Sequence, residues 1–294
     1  MKKTELTFLF ITAIVISFSL LDEIESETKL DIQYIHLDSI HKIIQIEDSL
    51  VIPVLYDSLI LNKFVSIPER KKQFINQVLP AILIVKFHME NKSQNVNRIM
   101  QKIELGDSLK PSEVIFVDSM MLRYRAKSYE NLLMRMKPHP TSLVLAQAAV
   151  ESGWGSSRFA LEGNNLFGIW TSPTDPDVLK SRHNKIEQTI YVKKYMSIAE
   201  SIDHYFLTIG RNNAYRQFRN KRYEEANVFQ LLETLDRYSE RGDDYTRQLK
   251  MMIEWNDLQK YDQYIIDPEY IVKESILDAY SKRIKKKYFE LQHQ

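Results

Sequence analysis

TSLVLAQAAVESGWGSSRFALEGNNLFGIW, residues Thr141 to Trp170, is the stretch from which the fold is read. Leu143 to Ala149 is apolar on every face except at Gln147, which predicts a helix buried on most sides over Thr141 to Glu151. At its end stands a carboxylate. Glu151 follows Gln147 by one turn, so the two polar groups share a face, and Gly153-Trp154-Gly155 then turns the chain. Of the 7 glycines in this 294-residue chain, four lie at Gly153, Gly155, Gly163 and Gly168. Such clustering points to close backbone approach to a ligand, or to a strained loop around a cleft.

A lone glutamate near a helix C-terminus is most often a solvated residue or an ion-pair partner. Three influences set Glu151 apart: desolvation by the apolar helix, the neighbouring Trp154 indole, and the negative end of the helix dipole. Each raises the carboxyl pKa. A carboxyl protonated near neutral pH can give its proton to a glycosidic oxygen, whose alkoxide is too basic to leave unaided.

Upstream, Phe74, Ile75, Val78, Leu79, Ile82, Leu83, Val85 and Met89 recur at helical spacing and predict a buried helix over Pro68 to Lys92, with Pro80 as a kink or boundary. The polar run Asn91 to Lys110 reads as a loop. Helices are expected over Ser112 to Tyr124 and Ser128 to Met136, with Pro138 and Pro140 ending one helix and starting the next. Downstream, Thr189 to Val192 reads as part of a short hairpin between Lys185 and Tyr195. Helices follow over Ile198 to Thr208, Phe229 to Tyr238 and Tyr245 to Tyr261. Residues 23–50 are apolar but irregular and are assigned to a linker, and a basic cluster ends the chain as a charged tail with room for one helix.

The basic start Met1 to Lys3, followed by the apolar run Leu6 to Leu21, is a targeting segment. Cleavage and retention as a membrane anchor are both compatible with it. Either outcome puts the body outside the cytoplasm, in the periplasm or cell envelope, with membrane contact through the N-terminus if the segment is retained.

Forty Lys and Arg against 39 Asp and Glu give a net charge of +1, with no field to gather nucleic acid. Cysteine is absent, which excludes disulfides, thiolate metal sites and cysteine nucleophiles. His88, His139, His183 and His204 lack ligand spacing, and there is no Gly-rich phosphate loop. No cofactor and no metal are therefore expected. Scarce glycine favours helices over many tight turns.

The run AQAAVESGWGSSRFALEGNNLFGIW resembles the signature of the bacterial glucosaminidase family, which includes flagellar and autolysin peptidoglycan hydrolases, and most closely its Bax-type branch. The likeness extends to Tyr195-Met196-Ser197 through Asp203-His204-Tyr205 and to Tyr238 through Tyr245, and more weakly to Ile67 through Ile82. It implies a mainly α, lysozyme-like helical domain with a small β-hairpin lobe over a groove, preceded by an N-terminal helical extension. The expected division is residues 1–22 as signal peptide or anchor, 23–111 as linker and helical region, 112–264 as the catalytic domain, and 265–294 as the tail.

The same resemblance implies cleavage of the β-1,4 bond after N-acetylglucosamine in peptidoglycan glycan strands, with Glu151 as general acid. A family tyrosine is matched to Tyr238, in the role of shaping the site beside the sugar. The run is one residue longer here and lacks the family's proline, so Tyr245 competes for that role. Glu187 is the nearest candidate for a second carboxylate, with Asp175 and Asp177 in the preceding loop, although a solvated hairpin charge is the plainer reading of Glu187.

The candidate substrate-binding set is Gln147, Trp154, Asn164, Asn165, Phe167, Trp170, Tyr191 and Tyr245. The asparagine amides are suited to sugar hydroxyls or to capping a turn, and the aromatic rings to pyranose faces or to packing. Arg158 is suited to a muramyl or peptide carboxylate, or to a salt bridge with Glu162 one helical turn on. Two other functions fit the sequence. One is a muramidase or lytic transglycosylase, against which Asn164-Asn165-Leu166-Phe167-Gly168 stands where transglycosylases carry a Gly-Leu-Met-Gln type of sequence. The other is a glycan-binding scaffold that has kept its groove without activity.

Overall fold

The computed structural model describes residues 27–61, 65–180, 190–236 and 238–274. Its longest element, α1 (Ile67–Glu104), starts at Ser66, whose hydroxyl accepts from the Glu69 amide, and runs straight through Pro80. Every residue from Gln73 to Val85 is buried. Proline inside a helix costs about 3 kcal/mol, whereas each buried aliphatic side chain contributes roughly 1.5–3 kcal/mol; packing wins and the expected boundary does not form. Val96 and Ile99 keep one side of the helix buried well beyond Asn91. The loop expected from Asn91 is therefore confined to residues 105–110.

Shorter helices follow: α2 (Pro111–Tyr124), α3 (Tyr129–Met136), α4 (Thr141–Ser152), α5 (Arg158–Gly163), α6 (Ile198–Arg211), α7 (Arg216–Tyr223), α8 (Val228–Leu232) and α9 (Asp243–Trp255). The mainly α expectation is met. Two helical assignments shrink. The one expected over Phe229 to Tyr238 is only α8, and the one expected to reach Tyr261 stops at Trp255, because Asp257 turns left-handed (φ 49°) and a 3-10 turn, Leu258–Gln263, follows.

Four short strand pairs complete the described residues. β1 (Glu27–Leu30) pairs antiparallel with a strand at Ile271–Glu274, β2 (Gln33–Ile35) pairs parallel with Val54–Tyr56, and β3 (Leu50–Val51) pairs parallel with Ile265–Ile266. The segment assigned to a linker thus contains strands. Leu37, Ile43, Val54 and Tyr56 form a small core there, which its β-branched richness serves well. A strand at Tyr191–Lys193 overlaps the expected run, but its antiparallel partner, Val178–Lys180, lies before the expected start at Lys185, and Trp170 bridges to Val192; residues 181–189 lie outside the described residues.

Residues 32–267 form one compact unit, so α1 and the strands at Gln33–Ile35, Leu50–Val51 and Val54–Tyr56 share a body with the region expected to be catalytic. Residues 1–31 together with 268–294 form a second unit, of which the strand pair at Glu27–Leu30 and Ile271–Glu274 is described. The targeting segment and the expected tail helix lie outside the described residues. No described helix is long and apolar enough to cross a membrane.

At the centre, α4 packs against α1, α9 and the 3-10 turn. Pro140 offers its first turn no side-chain cap; Asp262, on the 3-10 turn, supplies one by accepting from both the amide and the hydroxyl of Ser142, each at 2.7 Å. Just before α4, buried His139 contacts Arg222 at 2.6 Å, and Arg222 also donates to the Met134 carbonyl. Burial, then the Arg222 charge, push His139 well below the usual histidine range, so it is neutral and accepts from the guanidinium.

Candidate active site

Glu151 occupies the last turn of α4. Beyond it Gly153, Trp154 and Gly155 are left-handed in succession, with φ of 58°, 56° and 75°. For Trp154 this conformation costs roughly 1–2 kcal/mol. The turn is held by Trp154 N–H donating to the Ala149 carbonyl (2.8 Å) and Gly155 N–H donating to the Ser152 hydroxyl (2.8 Å). Gly155 is also needed for space, because a Cβ there would come within 2.9 Å of Phe74. The Trp154 indole stands edge-on to Phe74 at 5.6 Å, with the Lys71 ammonium 5.0 Å from its ring centre.

Behind Glu151 lies a buried polar chain. Gln147 is fully buried; its Nε2 donates to the Tyr245 hydroxyl oxygen at 3.0 Å, and its Oε1 accepts from the Tyr205 hydroxyl. Because the Tyr245 oxygen is accepting from Gln147, its own proton is free to point at Glu151, to which it hydrogen-bonds. Tyr238 stacks on Tyr245 (5.4 Å, 7°), and Phe167 stacks on Tyr205 (4.2 Å, 13°). Of the two tyrosines that competed for one role, Tyr245 is the one that acts on the Glu151 carboxyl, and Tyr238 stacks on Tyr245.

Burial raises the Glu151 pKa, opposed by the Tyr245 hydrogen bond and the Arg241 charge, and the net shift is upward. Desolvation is thus the expected influence that operates. The opposing pair, Tyr245 and Arg241, favours the carboxylate once it has lost its proton. Burial also lifts both Tyr245 and Tyr238 far above the ordinary phenol range, so each is a hydrogen-bond donor at any working pH.

Other expected site residues are committed elsewhere. Asn164, left-handed at the end of α5, donates to the carbonyls of Asp57 and Tyr195. Asn165 donates to the carbonyls of Ile169 and Lys193 and accepts from the Ile169 amide. Both are buried and sew the glycine-rich loop to the hairpin lobe, the capping alternative rather than sugar binding. Phe167, 4% exposed, is a packing residue. Arg158 pairs with Glu162 at 3.0 Å and donates to the Lys180 carbonyl, so it is not free for a substrate carboxylate.

Asp175 accepts from Thr171 and Lys193, and these bonds with the Asp177 amide lower its pKa to about 2, which makes it a fixed anion of the hairpin lobe. Glu187 lies outside the described residues. Trp170, 69% exposed, and half-buried Tyr191 keep ring surface accessible on the lobe. Sequence reasoning missed Tyr205 and Arg241. The signal for Tyr205 was its place three residues after Ile202 on the buried face of α6. Arg241 is exposed and bonded to Gln248, and no spacing rule brings it near Glu151.

A family model described as mannosyl-glycoprotein endo-beta-N-acetylglucosaminidase matches residues 126–258, which include α4, the tyrosine chain and the hairpin. The matched residues, under half of the 294, make up a glucosaminidase-like domain. The glucosaminidase domain is a glycoside hydrolase domain. Protein bax of Escherichia coli (strain K12) is 29% identical over 217 residues, covering 67% of this chain and 73% of that protein. Exo-glucosaminidase LytG of Bacillus subtilis (strain 168) is 27% identical over 220 residues, covering 69% and 72%. Peptidoglycan hydrolase FlgJ of Escherichia coli (strain K12) is 26% identical over 160 residues, covering 51% and 49%. Among solved structures, the catalytic domain of the autolysin Auto from Listeria monocytogenes is 19% identical with a TM-score of 0.36, covering 56% of this chain and 96% of that one. All of α1 precedes the matched residues, as do the strands at its N-terminal side.

Proposed function

We infer that this protein is a peptidoglycan hydrolase acting in the cell envelope, which cleaves the β-1,4 bond after N-acetylglucosamine with Glu151 as general acid. The observation that carries the reading is the half-buried Glu151 carboxyl at the end of α4, held toward its protonated form by desolvation and bonded to Tyr245. The relatives named for glucosaminidase and peptidoglycan hydrolase activity support the substrate class. The basic start and apolar run at residues 1–21 support export.

In this mechanism Glu151 gives its proton to the glycosidic oxygen as the bond breaks, so the leaving group departs as a neutral alcohol. The carboxylate that remains accepts from Tyr245 and feels the Arg241 charge, which are the two influences that favour its ionised form. Gln147 fixes the Tyr245 hydroxyl so that no rotation is needed during transfer. Trp170 and Tyr191 offer ring faces to pyranose units. Mass spectrometry of digested glycan strands tests the bond choice: reducing-end N-acetylglucosamine is expected. Reducing-end N-acetylmuramic acid or anhydromuramyl ends would overturn it in favour of muramidase or transglycosylase chemistry.

A further inference from the structure

Trp154 lines, besides the Glu151 turn, a cleft of about 600 Å³ that has no part in the mechanism above. One wall comes from the start of α1, with Lys71 and Lys72, and from Glu47 in the segment before it. The other comes from the end of α9 and the 3-10 turn, with Trp255, Lys260 and Tyr261. Much of this lining, including all three lysines, lies outside the glucosaminidase domain.

The charge of this cleft is unlike that of the chain. Its ionised lining residues are three lysines and one glutamate, a net +2, in a protein whose whole charge is +1. Lys71 is bonded at 2.6 Å to the neutral amide of Asn256 and lies over the Trp154 ring, so its charge is held in place without a carboxylate partner among the described residues. Lys260 meets Asp257 at 3.4 Å, an exposed pair that water screens. Trp255 is 78% exposed, a large aromatic surface kept at the rim. Trp154 lies three positions after Glu151, a chain span of at most about 11 Å.

We propose that this cleft binds the carboxylate-bearing peptide attached to the muramyl sugar next to the bond being cut, a proposal that rests on the peptidoglycan reading above. In a peptide-bearing strand the lactyl carboxyl of the muramyl sugar is tied up as an amide, so the sugars themselves offer paired lysines no anion; the muramyl peptide carries several carboxylates on a flexible chain. Lysine ammonium groups recognise these as point charges without demanding one geometry, and the Trp255 and Tyr261 rings cover the peptide's apolar atoms. Arg158, the cation that the sequence offered for a muramyl or peptide carboxylate, is committed to Glu162 and Lys180.

The test is calorimetric binding of soluble muramyl-peptide disaccharide, and of the same disaccharide with its peptide replaced by a simple lactyl amide that carries no carboxylate, to the full chain. The Lys72→Met/Lys260→Met variant changes two exposed side chains outside the acid machinery. It is expected to weaken the peptide-bearing ligand about tenfold, the size of losing one charge-assisted hydrogen bond, and to leave the peptide-free ligand unchanged. Equal weakening of both would place sugar in the cleft and overturn the proposal, as would unchanged binding of the peptide-bearing ligand. Because binding is read without turnover, a chain that bound the peptide but cut no glycan would sink the hydrolase reading and leave the cleft's assignment standing.

Discussion

The Gln147 amide donates to the Tyr245 hydroxyl at 3.0 Å, and this bond decides where the tyrosine proton points. With the oxygen already accepting, the proton is directed at Glu151, and its bond there pulls the carboxyl pKa down against the larger upward push of burial. Burial thus raises the Glu151 pKa, and Tyr245, itself held by Gln147, moderates the rise together with the Arg241 charge.

Tyr245→Phe removes that downward influence. The pKa of Glu151 then rises further, and the alkaline limb of the activity profile moves to higher pH. The variant also leaves the buried Gln147 amide without its acceptor, at about 1–3 kcal/mol of stability. A pH series of wall-hydrolysis rates, read beside a denaturant curve, checks both; an alkaline limb that stays fixed contradicts the assignment of Tyr245.

Stability should carry the mark of the desolvated acid. The folded pKa of Glu151 lies above its ordinary value of 4.5, so as pH rises the unfolded chain releases this proton first. The contribution is therefore present below 4.5 and is lost as pH climbs through the folded value. Glu151→Gln abolishes the loss, and its melting temperature relative to the parent is expected to improve between pH 4.5 and neutrality. A constant difference in melting temperature across that range would count against burial as the cause.

Gly155 occupies a position that is strained for any other residue. Its φ of 75° and the 2.9 Å separation that a side-chain methyl would have from Phe74 act together. Gly155→Ala should lose roughly 1–3 kcal/mol in a urea unfolding curve, and should shift the Trp154 emission because the indole packs on the same phenylalanine. A neutral result would mean that α1 yields easily there.

Asp262 stands far from the acid in sequence yet caps its helix. Asp262→Ala deprives Ser142 of two bonds, and a cost of about 0.5–2 kcal/mol is expected. Activity at saturating substrate should change little, since α4 is also clasped by α1 and α9. Thermal melts and wall-clearing rates measured together separate this capping role from a catalytic one.

The run through α4 and the glycine-rich turn was legible because its signals are local: apolar residues all around Gln147, then three residues that a helix cannot continue. The strand at Tyr191–Lys193 was legible for the same reason, while its partner Val178–Lys180 was not. The course of α1 through Pro80 was not, since only the neighbours packed around it outweigh the proline's cost. Nor were the roles of Asn164 and Asn165, whose amides meet carbonyls contributed from Asp57 and from Lys193 to Tyr195. Which of Tyr238 and Tyr245 acts on the acid is a matter of stacking order, which spacing alone does not encode.

The central claim is that Glu151 delivers the proton, and its most direct measurement is the rate at which purified Glu151→Gln protein solubilises peptidoglycan beside the parent, with both shown folded by circular dichroism. General acid catalysis contributes about 10²–10⁴-fold, so a loss of at least a hundredfold is predicted with the fold intact. Clearing at the parental rate by the folded variant would contradict the account.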